Sequence, residues 1–292
     1  MKQHRLLALS GTRTDMLRTT VTTLVLLLLC QCGPGRSWID TYQIEAPRLE
    51  QQPRIDGDLA DWKQSAFTDG VWDIGRLQHS PWYDPAVNRL TDHGSEPSPE
   101  EDLSARYYIA WDEEYLYLGA EVHDNVNDVT DPSHEPKRWY FKDAVCWFIE
   151  APRDNRSESF GEGDHAFCFV IDTSKPAWGA WWRHGTAHEA YMETPLPADA
   201  VTYALRMNPW GRNRGDFILE ARIRMTSTFG ASDGAWRVPR IGDEYGLEIV
   251  HTDPDGGDYG GHFLIYGNGD DDLTWGKMKL AGSVRPPERK PQ

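Results

Sequence analysis

Tryptophan is the residue type with the clearest capacity for binding chemistry in this chain. The sequence contains 13 Trp, and Trp178, Trp181 and Trp182 are crowded into residues 175–184, which we predict to form an aromatic loop. Exposed aromatic rings stack against the apolar faces of ligands, whereas buried rings fill space in a core. The aromatic loop is therefore either a binding platform or a hydrophobic plug over one end of the fold, and both interpretations stay open.

Acidic loops are the second group of residues that could do chemistry, because Ca²⁺ takes about six to eight oxygen ligands, which usually include carboxylates. Three segments qualify: Asp124, Asn125, Asn127 and Asp128; Asp253, Asp255 and Asp258; and residues 270–272. None of them has the spacing of an EF-hand loop. We take Asp124 and Asp128 as candidate calcium ligands, with plain solvated loops as the alternative.

Recognisable catalytic groupings do not stand out. A glycosidase needs two carboxylates that flank the scissile bond, but no spacing singles out one pair among the 46 Asp and Glu residues. The metalloprotease pattern H-E-x-x-H is absent. His184 and His188 could share a metal ion only on a helix, which Gly185 disfavours. We therefore expect a protein without catalytic activity of its own.

Two cysteines, Cys146 and Cys168, each lie in the middle of an alternating apolar run. A cross-strand disulfide is geometrically possible if their strands are neighbours in register, and an oxidising compartment would permit it. Two buried free thiols are the alternative. Neither cysteine has a sequence setting typical of a nucleophile.

The net charge of the chain limits the kinds of binding partner that are expected. Asp and Glu outnumber Lys and Arg by 46 to 30, which gives a formal net charge of −16. An acidic surface repels a polyanion, so a nucleic-acid partner is not expected. The charge fits an exported protein that binds neutral ligands or cations.

Residues 105–150 organise the fold. Apolar side chains alternate with polar or aromatic ones in residues 105–111 and again in residues 115–124, which predicts a β-hairpin with its turn at residues 112–114. A third strand at residues 144–150 is apolar on both faces. We expect it to be covered on both sides.

Short strands continue through the rest of the chain. The segments with strand patterns are residues 165–172, 201–207, 217–223 and 244–250. The pair Asp56-Gly57 predicts a tight turn, and Trp62 is expected to anchor in the core beneath it. No long amphipathic helical pattern is present in the sequence. The prediction is an all-β, antiparallel β-sandwich of jelly-roll or immunoglobulin-like layers, forming a single domain over residues 45–281.

Residues 1–31 are predicted to be a leader that is not part of the fold. Basic residues precede the apolar run at residues 24–29, which is the order of a secretory signal, and the run is too short to span a membrane. Cys32 follows in a lipoprotein-like box and is the predicted lipidation site, with simple secretion as the alternative. We expect a tether at residues 32–44 and a polar tail at residues 282–292. The protein would be exported to the cell envelope (outer membrane or periplasm) or secreted, with a lipid anchor as its only membrane attachment.

Five landmarks carry a family resemblance. They are Ile55-Asp56-Gly57 with Trp62; Trp111-Asp112 with Tyr115-Leu116-Tyr117-Leu118; Val122 to Asp124; Asp143-Ala144-Val145 with Phe148-Ile149; and Trp275-Gly276-x-Met278-x-Leu280. On these residues the chain resembles the family 9 carbohydrate-binding module, within the broader DOMON-like β-sandwich group, over residues 44–281. The resemblance implies non-catalytic sugar binding, often beside glycoside hydrolases and often with structural calcium.

The resemblance also implies where a sugar would bind. The family's first aromatic clamp corresponds to Trp139 and Tyr140, and its aspartate at the end of the hairpin corresponds to Asp124. Asp124 would either hydrogen-bond a sugar hydroxyl or hold a cation. A pyranose offers a C–H face that stacks on such rings and hydroxyl groups that need planar polar partners.

Three of the family's sugar-binding residues have no counterpart at the matching positions. The family's glutamate is replaced by Cys146, its arginine has no match within residues 165–172, and its second clamp tryptophan falls near Gly269. Either the protein binds a different glycan through relocated aromatic residues, with the aromatic loop as the candidate, or it has lost sugar binding and acts as a surface protein-interaction domain.

A redox role is the alternative class. Some DOMON-like relatives hold a b-type haem through Met and His or Lys ligands. Met192, Met207, His165 and His188 could supply such a pair. Nothing in their spacing favours this role, and isolated methionines usually fill cores.

Overall fold

Two β-sheets packed face to face make up most of the described part of the chain. The computed structural model describes residues 43–69, 83–84, 89–90, 103–127, 139, 142–154, 161–172, 179–185, 192–253, 262–264, 266, 269 and 271–283. Residues Trp38–Gln292 form one compact unit and Met1–Ser37 form another. The predicted leader and Cys32 lie outside the described residues, so both stay predictions.

The strands follow one another along the chain in this order: β1 Gln43–Ala46, β2 Phe67–Asp69, β3 Tyr83–Asp84, β4 Arg89–Leu90, β5 Leu103–Trp111, β6 Tyr115–Asp124, β7 Ala144–Glu150, β8 Asp164–Val170, β9 Ala180–His184, β10 Met192–Pro195, β11 Val201–Met207, β12 Phe217–Arg224, β13 Glu244–Thr252, β14 His262–Leu264 and β15 Gly276–Leu280. Short 3₁₀ turns lie at Leu59–Asp61, Lys63–Ser65, Met225–Ser227 and Asp272–Thr274, and one turn of α-helix at Phe229–Ser232. Within the part of the chain that the structure describes, no helix has the length and apolar character that crossing a membrane requires.

The two main sheets differ in size. The large sheet has the order β1-β15-β13-β7-β8-β9-β10, with β14 added beside β13, and the small sheet has the order β11-β12-β6-β5-β2. Strand β1 runs parallel to β15, and the other pairs in these sheets are antiparallel. The predicted all-β sandwich is therefore confirmed.

The period-two patterns place the core between the sheets. Tyr107, Ile109 and Trp111 of β5 point inward, as do Trp147 and Ile149 of β7. The alternate residues of β7, including Cys146 and Phe148, belong to a second cluster on the outer face of the large sheet. The predicted hairpin and the predicted covering of β7 on both sides are confirmed.

Glu220 fastens the N-terminal segment to the small sheet. Its Oε2 accepts hydrogen bonds from the backbone N–H groups of Asp56 and Gly57 at 2.8 and 2.9 Å, and its Oε1 accepts one from the Trp62 indole at 2.8 Å. Gly57 has φ +82°, a conformation that favours glycine. Trp62 packs with Leu59 and Tyr117 in a third buried cluster, so its predicted role as a core anchor is confirmed.

Two sequence predictions about boundaries were wrong. Residues 180–184, which fall within the predicted aromatic loop, form strand β9, because the side chains there alternate between the two faces of the large sheet. Strand β1 begins at Gln43, inside the predicted tether, because its backbone pairs in register with β15.

Candidate functional site

The outer face of the large sheet has a floor of small side chains where β7 and β8 lie side by side. Ala144 and Cys146 of β7 and Ala166 and Cys168 of β8 are fully buried members of the outer cluster. Small side chains between larger neighbours leave room for a ring to pack on them. Trp139 belongs to the same cluster, so a predicted sugar-clamp residue lies on this face.

Trp139 is held firmly in place. Its side chain is only 3% exposed, and its ring packs edge-on against Phe148 with centroids 6.2 Å apart. The backbone N–H of Lys142 donates to the Trp139 carbonyl at 3.0 Å, which closes the turn that leads into β7. The neighbouring predicted clamp residue, Tyr140, lies outside the described residues.

Arg183 and Glu193 place polar groups beside this ring. They are cross-strand partners on β9 and β10, with Arg183 Nη2 3.5 Å from Glu193 Oε1 and side chains only 8% and 16% exposed. The guanidinium carbon of Arg183 lies 5.4 Å from the centroid of the Trp139 ring, which is a cation–π arrangement. The buried Trp139 ring thus holds the Arg183 guanidinium in position, and a planar cation beside a carboxylate can hydrogen-bond the hydroxyl groups of a sugar.

The sequence analysis missed both Arg183 and Glu193. A loop has no fixed faces, so predicting a loop over residues 175–184 hides the fact that Arg183 and Trp181 share the outer face of a strand. The usable signal is the alternation in β9, where Ala180, Trp182 and His184 are buried on the inner side. The Trp181-Trp182 doublet obscures this alternation because it puts a large ring on each face.

The tryptophans of the predicted platform separate in the structure. Trp182 points into the core between the sheets and its indole N–H donates to His165 Nδ1 at 3.0 Å. Trp181 points outward and is a partly buried neighbour of the outer cluster that contains Trp139. Trp178 lies outside the described residues. Of the two described tryptophans, Trp181 is thus the one placed beside the candidate site.

The positions where family residues are missing also lie on this face. Cys146, in place of the glutamate, sits directly opposite Cys168 in the β7–β8 ladder. Both are buried free thiols, and burial raises the pKa of the Cys146 thiol, so it is a packing residue. A Cβ added to Gly269 would come 2.9 Å from Phe148 Cε2, so Phe148 already fills the space at the start of any second clamp side chain.

Asp124 lies at the same end of the sandwich as the Trp139 turn. Asn127, in the loop after Asp124, donates to Asp143 Oδ2 at 3.1 Å and to the Ile171 carbonyl at 3.3 Å. The Asp124 carboxylate is 2% exposed and accepts the backbone N–H of Val126 at 2.8 Å. These contacts make Asp124 a turn-stabilising residue, while its proposed partner Asp128 lies outside the described residues.

A different set of carboxylates could hold calcium. Ligand oxygens of Glu150, Asp154 and Asp272 lie within 4.8 Å of one another, which matches the spread of oxygens around an ion with metal–oxygen distances of about 2.3–2.6 Å. Asp164 faces Glu150 across the β7–β8 ladder. We call these four residues the acidic cluster. Its residues fit a calcium ion, and three of them fall outside the loops that the sequence analysis selected.

Three members of the acidic cluster, Glu150, Asp164 and Asp272, are buried, and Asp154 is exposed. Burial, together with the charge of Asp272, raises the pKa of Glu150 to about 7, although a hydrogen bond from the Asp154 backbone opposes this. Burial and the charge of Asp272 likewise raise the pKa of Asp164 to about 8. Arg153 Nε lies 4.0 Å from Glu150 Oε2, which is at the limit of an ion pair. A divalent cation would offset the repulsion among these carboxylates.

Among the candidate haem ligands, His165 lies in tightly packed surroundings. His165 is fully buried, its ring is stacked on Trp182 with centroids 5.8 Å apart, and Phe229 packs against it at 4.5 Å. Because its neighbours are rings and its Nδ1 already accepts the Trp182 hydrogen bond, the described core leaves no space for a porphyrin there. Met192 and Met207 lie on β10 and β11, and His188 falls outside the described residues.

A serine motif, which the sequence analysis overlooked, follows strand β12. Residues 230–234 read Gly-Ala-Ser-Asp-Gly, which matches the G-x-S-x-G pattern of a nucleophile elbow. Ser232 ends a single helical turn, and its hydroxyl donates to the carbonyls of Thr228 and Phe229 at 3.1 and 3.4 Å. A nucleophile elbow places its serine between a strand and a long helix. Ser232 instead stabilises the end of the helical turn through its hydrogen bonds.

Comparisons with known proteins identify the fold and the family. A search of curated proteins finds no match. Two solved structures of a family 9 carbohydrate binding module from Caldicellulosiruptor kristjanssonii, in complex with cellotriose and with glucose, share the fold with TM-scores of 0.53 and 0.52 and identities of 16% and 17%. The alignments cover 86% and 85% of this chain and 98% and 100% of those chains. The profile described as carbohydrate family 9 binding domain-like matches residues 79–285. The chain therefore belongs to the carbohydrate family 9 binding domain-like family.

Proposed function

We propose that this protein binds a neutral carbohydrate, without hydrolysing it, at the outer face of the large sheet around Trp139, Trp181, Arg183 and Glu193. The observation that carries this proposal is the guanidinium of Arg183 over the Trp139 ring with Glu193 beside it. Family membership supports the proposal, as do the cellotriose and glucose complexes of the C. kristjanssonii module with the same fold.

The chemistry of the three side chains suits a neutral sugar. The charges of Arg183 and Glu193 offset each other at 3.5 Å, so an additional ligand charge would find no partner there. Guanidinium N–H groups donate to hydroxyl oxygens, and the carboxylate accepts from hydroxyl hydrogens. Trp181, which is only partly buried, supplies the accessible aromatic surface on which the C–H face of a pyranose can stack.

Arg183 and Glu193 also stand in for the glutamate and arginine of the family that this sequence lacks. The family glutamate and arginine are missing from β7 and β8, and the neighbouring strands β9 and β10 offer an arginine and a glutamate at the level of Phe148, two residues along β7 from Cys146. Arg183 is paired with Ala166 of β8, whose own partner on β7 is Phe148. The small Ala166 side chain allows the long Arg183 side chain to reach across β8 toward Trp139.

The cellular role follows as an extension of this proposal. The predicted leader and Cys32 support an exported, lipid-anchored protein, and the family supports a place beside glycoside hydrolases in polysaccharide capture. An unchanged rate of growth on polysaccharide after deletion of the gene would count against this extension.

The binding test uses residues 38–292, which correspond to the compact unit. Calorimetric titration with cellotriose and with glucose, preceded by a glycan array, is expected to give saturable binding that Trp181→Ala abolishes. Trp210→Ala, which removes an exposed tryptophan from the small sheet, is the matched control and should leave this binding unchanged. Absence of binding to any arrayed glycan, with and without calcium, would overturn the proposal.

A further inference from the structure

A pocket opens on the outer face of the small sheet, in the other layer of the sandwich from the site above. Its volume is about 370 Å³, which lies within the range of about 300–1,000 Å³ typical of small-ligand sites. Its lining includes Ser104, Arg106, Glu121, His123, Trp210 and Arg212. None of these residues belongs to the site around Trp139.

Trp210 provides an accessible aromatic wall. It is 38% exposed, and its ring lies against the His123 ring with centroids 4.3 Å apart. The turn that carries it is fixed, because Asn208 and Gly211 adopt φ +49° and +68° and the Gly211 N–H donates to the Asn208 carbonyl at 3.2 Å. The ring is therefore held at the pocket before any ligand arrives.

His123 is itself held in place by the buried residue Asp216. Its Nδ1 lies 3.4 Å from Asp216 Oδ1, and Asp216 is fully buried. The Asp216 carboxylate also accepts the backbone N–H groups of Asp124 and Asn213, both at 3.2 Å. This chain of contacts fixes the stacked pair of rings and lowers the entropic cost of using them for binding.

The charge of the pocket is positive, although the chain is acidic. The carboxylate of Glu121 already has partners outside the pocket lining, since Lys63 Nζ lies 2.5 Å from its Oε1 and the Tyr108 hydroxyl donates to its Oε2 at 2.7 Å. Arg106 and Arg212 line the same pocket and are exposed. Among the residues that the structure describes, no carboxylate forms an ion pair with either arginine.

We propose that this pocket is a second saccharide site and that it takes a hexuronate residue, with the pyranose ring stacked on Trp210 and the carboxylate held by Arg106 and Arg212. Guanidinium groups bind carboxylates through strong, often bidentate hydrogen bonds. An exposed ring next to two arginines that have no carboxylate partner among the described residues suits a ligand that has both an apolar face and a negative charge. The first site, with its balanced Arg183–Glu193 pair, has no such preference.

The test compares two ligands with the same sugar backbone, one with charged carboxylates and one with neutral methyl esters. Trigalacturonate and its methyl ester are titrated into the full-length protein in buffer without divalent cations. We expect the ester to bind at least about tenfold more weakly, which is the loss expected when a charged hydrogen bond is removed. Added salt should weaken trigalacturonate binding, because the arginines are exposed.

Three variants locate the binding. Trp210→Ala and the double variant Arg106→Gln/Arg212→Gln should each weaken trigalacturonate binding by about tenfold, whereas the matched surface variant Arg240→Gln should not. Trp181→Ala should abolish cellotriose binding and leave trigalacturonate binding unchanged, so that failure of either site can be recognised separately. Loss of trigalacturonate binding in Trp181→Ala, equal affinity for acid and ester, or full displacement by an equal concentration of sulfate would overturn the proposal.

Discussion

The guanidinium of Arg183 lies over the ring of Trp139, with 5.4 Å between the guanidinium carbon and the ring centroid. The two residues come from different parts of the chain, since Arg183 sits on β9 and Trp139 just ahead of β7. The strand between them, β8, carries the small side chain of Ala166 at the position that pairs with Arg183. This contact joins an aromatic surface to a hydrogen-bonding group, which is the combination that sugar recognition requires.

Replacement of Arg183 should separate binding from folding. Arg183→Ala is expected to weaken oligosaccharide binding by about 1.5–3 kcal/mol, the range for a hydrogen bond to a charged group. Arg183→Lys should not restore it, because an ammonium group lacks the planar fork that can stack on Trp139 and bridge to Glu193. Calorimetric titration with cellotriose measures the effect.

The control for Arg183 is Arg237, another arginine paired with a carboxylate. Arg237 is exposed and bonds Asp243 through two nitrogens at 2.7 and 2.8 Å. Arg237→Ala should leave cellotriose affinity unchanged. Equal affinities of Arg183→Ala and the unmodified protein would remove Arg183 from the site.

Replacement of Glu220, which lies far from either sugar site, is expected to lower the stability of the protein strongly. Glu220→Ala leaves three donors without their acceptor, namely the buried N–H group of Gly57, the buried Trp62 indole and the partly buried N–H group of Asp56. Each unsatisfied donor costs about 1–3 kcal/mol, so the free energy of unfolding should fall by roughly 3 kcal/mol or more. Urea unfolding followed by tryptophan fluorescence measures it.

An exposed ion pair is the comparison for Glu220. Glu113 bonds Arg48 at 2.8 Å through both oxygens but is 55% exposed at the side chain. Glu113→Ala should cost about 0–1 kcal/mol, as exposed pairs usually do. A Glu220→Ala variant as stable as Glu113→Ala would show that the N-terminal segment is held by its apolar contacts instead.

The hairpin and the β11–β12 pair could be predicted from sequence because their patterns have one apolar face each. In β11–β12 the register runs from Val201 opposite Ile223 to Met207 opposite Phe217, so the predicted strand segments 201–207 and 217–223 pair over their full length. Strand β9 was hidden because Trp181 and Trp182 put large rings on both faces. A period-two pattern is visible only where the two faces differ in polarity.

The candidate site was only partly predictable. Trp139 could be placed from the family resemblance, but Arg183 reaches it across a neighbouring strand, and sequence spacing does not encode which strands are neighbours. The acidic cluster has the same property, since Asp272 is far from Glu150 and Asp154 in the chain and joins them through the sheet. Such sites depend on topology, which local pattern does not determine.

Calcium should stabilise the protein through the acidic cluster. Ca²⁺ in millimolar excess is expected to raise the unfolding temperature, because a ligand that binds only the folded state adds to stability by mass action. One kcal/mol corresponds to about 2–4 °C for a domain of this size. Differential scanning fluorimetry with calcium and with chelator measures the shift.

Two aspartates distinguish the acidic cluster from the loop that sequence reasoning favoured. Asp272→Asn removes a cluster ligand and should abolish the calcium-induced shift. Asp124→Asn lowers basal stability because Asp124 is buried, but it should preserve the calcium-induced shift. The reverse pattern would move the calcium site to the loop that follows β6.

The burial of His251 predicts that the free energy of unfolding falls at acid pH because of this one residue. Its Nδ1 lies 2.7 Å from the Tyr107 hydroxyl, and complete burial lowers the pKa of its imidazole from 6.5 to about 3. Between about pH 3 and pH 6.5, the imidazole of His251 is therefore protonated in the unfolded chain and neutral in the folded protein. The stabilising contribution of neutral His251 is fully present above pH 6.5 and is lost as the pH falls toward about 3.

The double variant Tyr107→Phe/His251→Phe should remove this contribution, because replacing both partners by apolar rings leaves no buried polar group unpaired at this contact. Urea unfolding at several pH values between 6 and 4 should give a pH slope shallower by about 1.4 kcal/mol per pH unit than that of the unmodified protein, the value for one proton. Tyr107→Phe alone keeps the histidine and should keep the steeper slope. Identical slopes for the double variant and the unmodified protein would mean that His251 is protonated within the folded core, and that burial does not govern its titration.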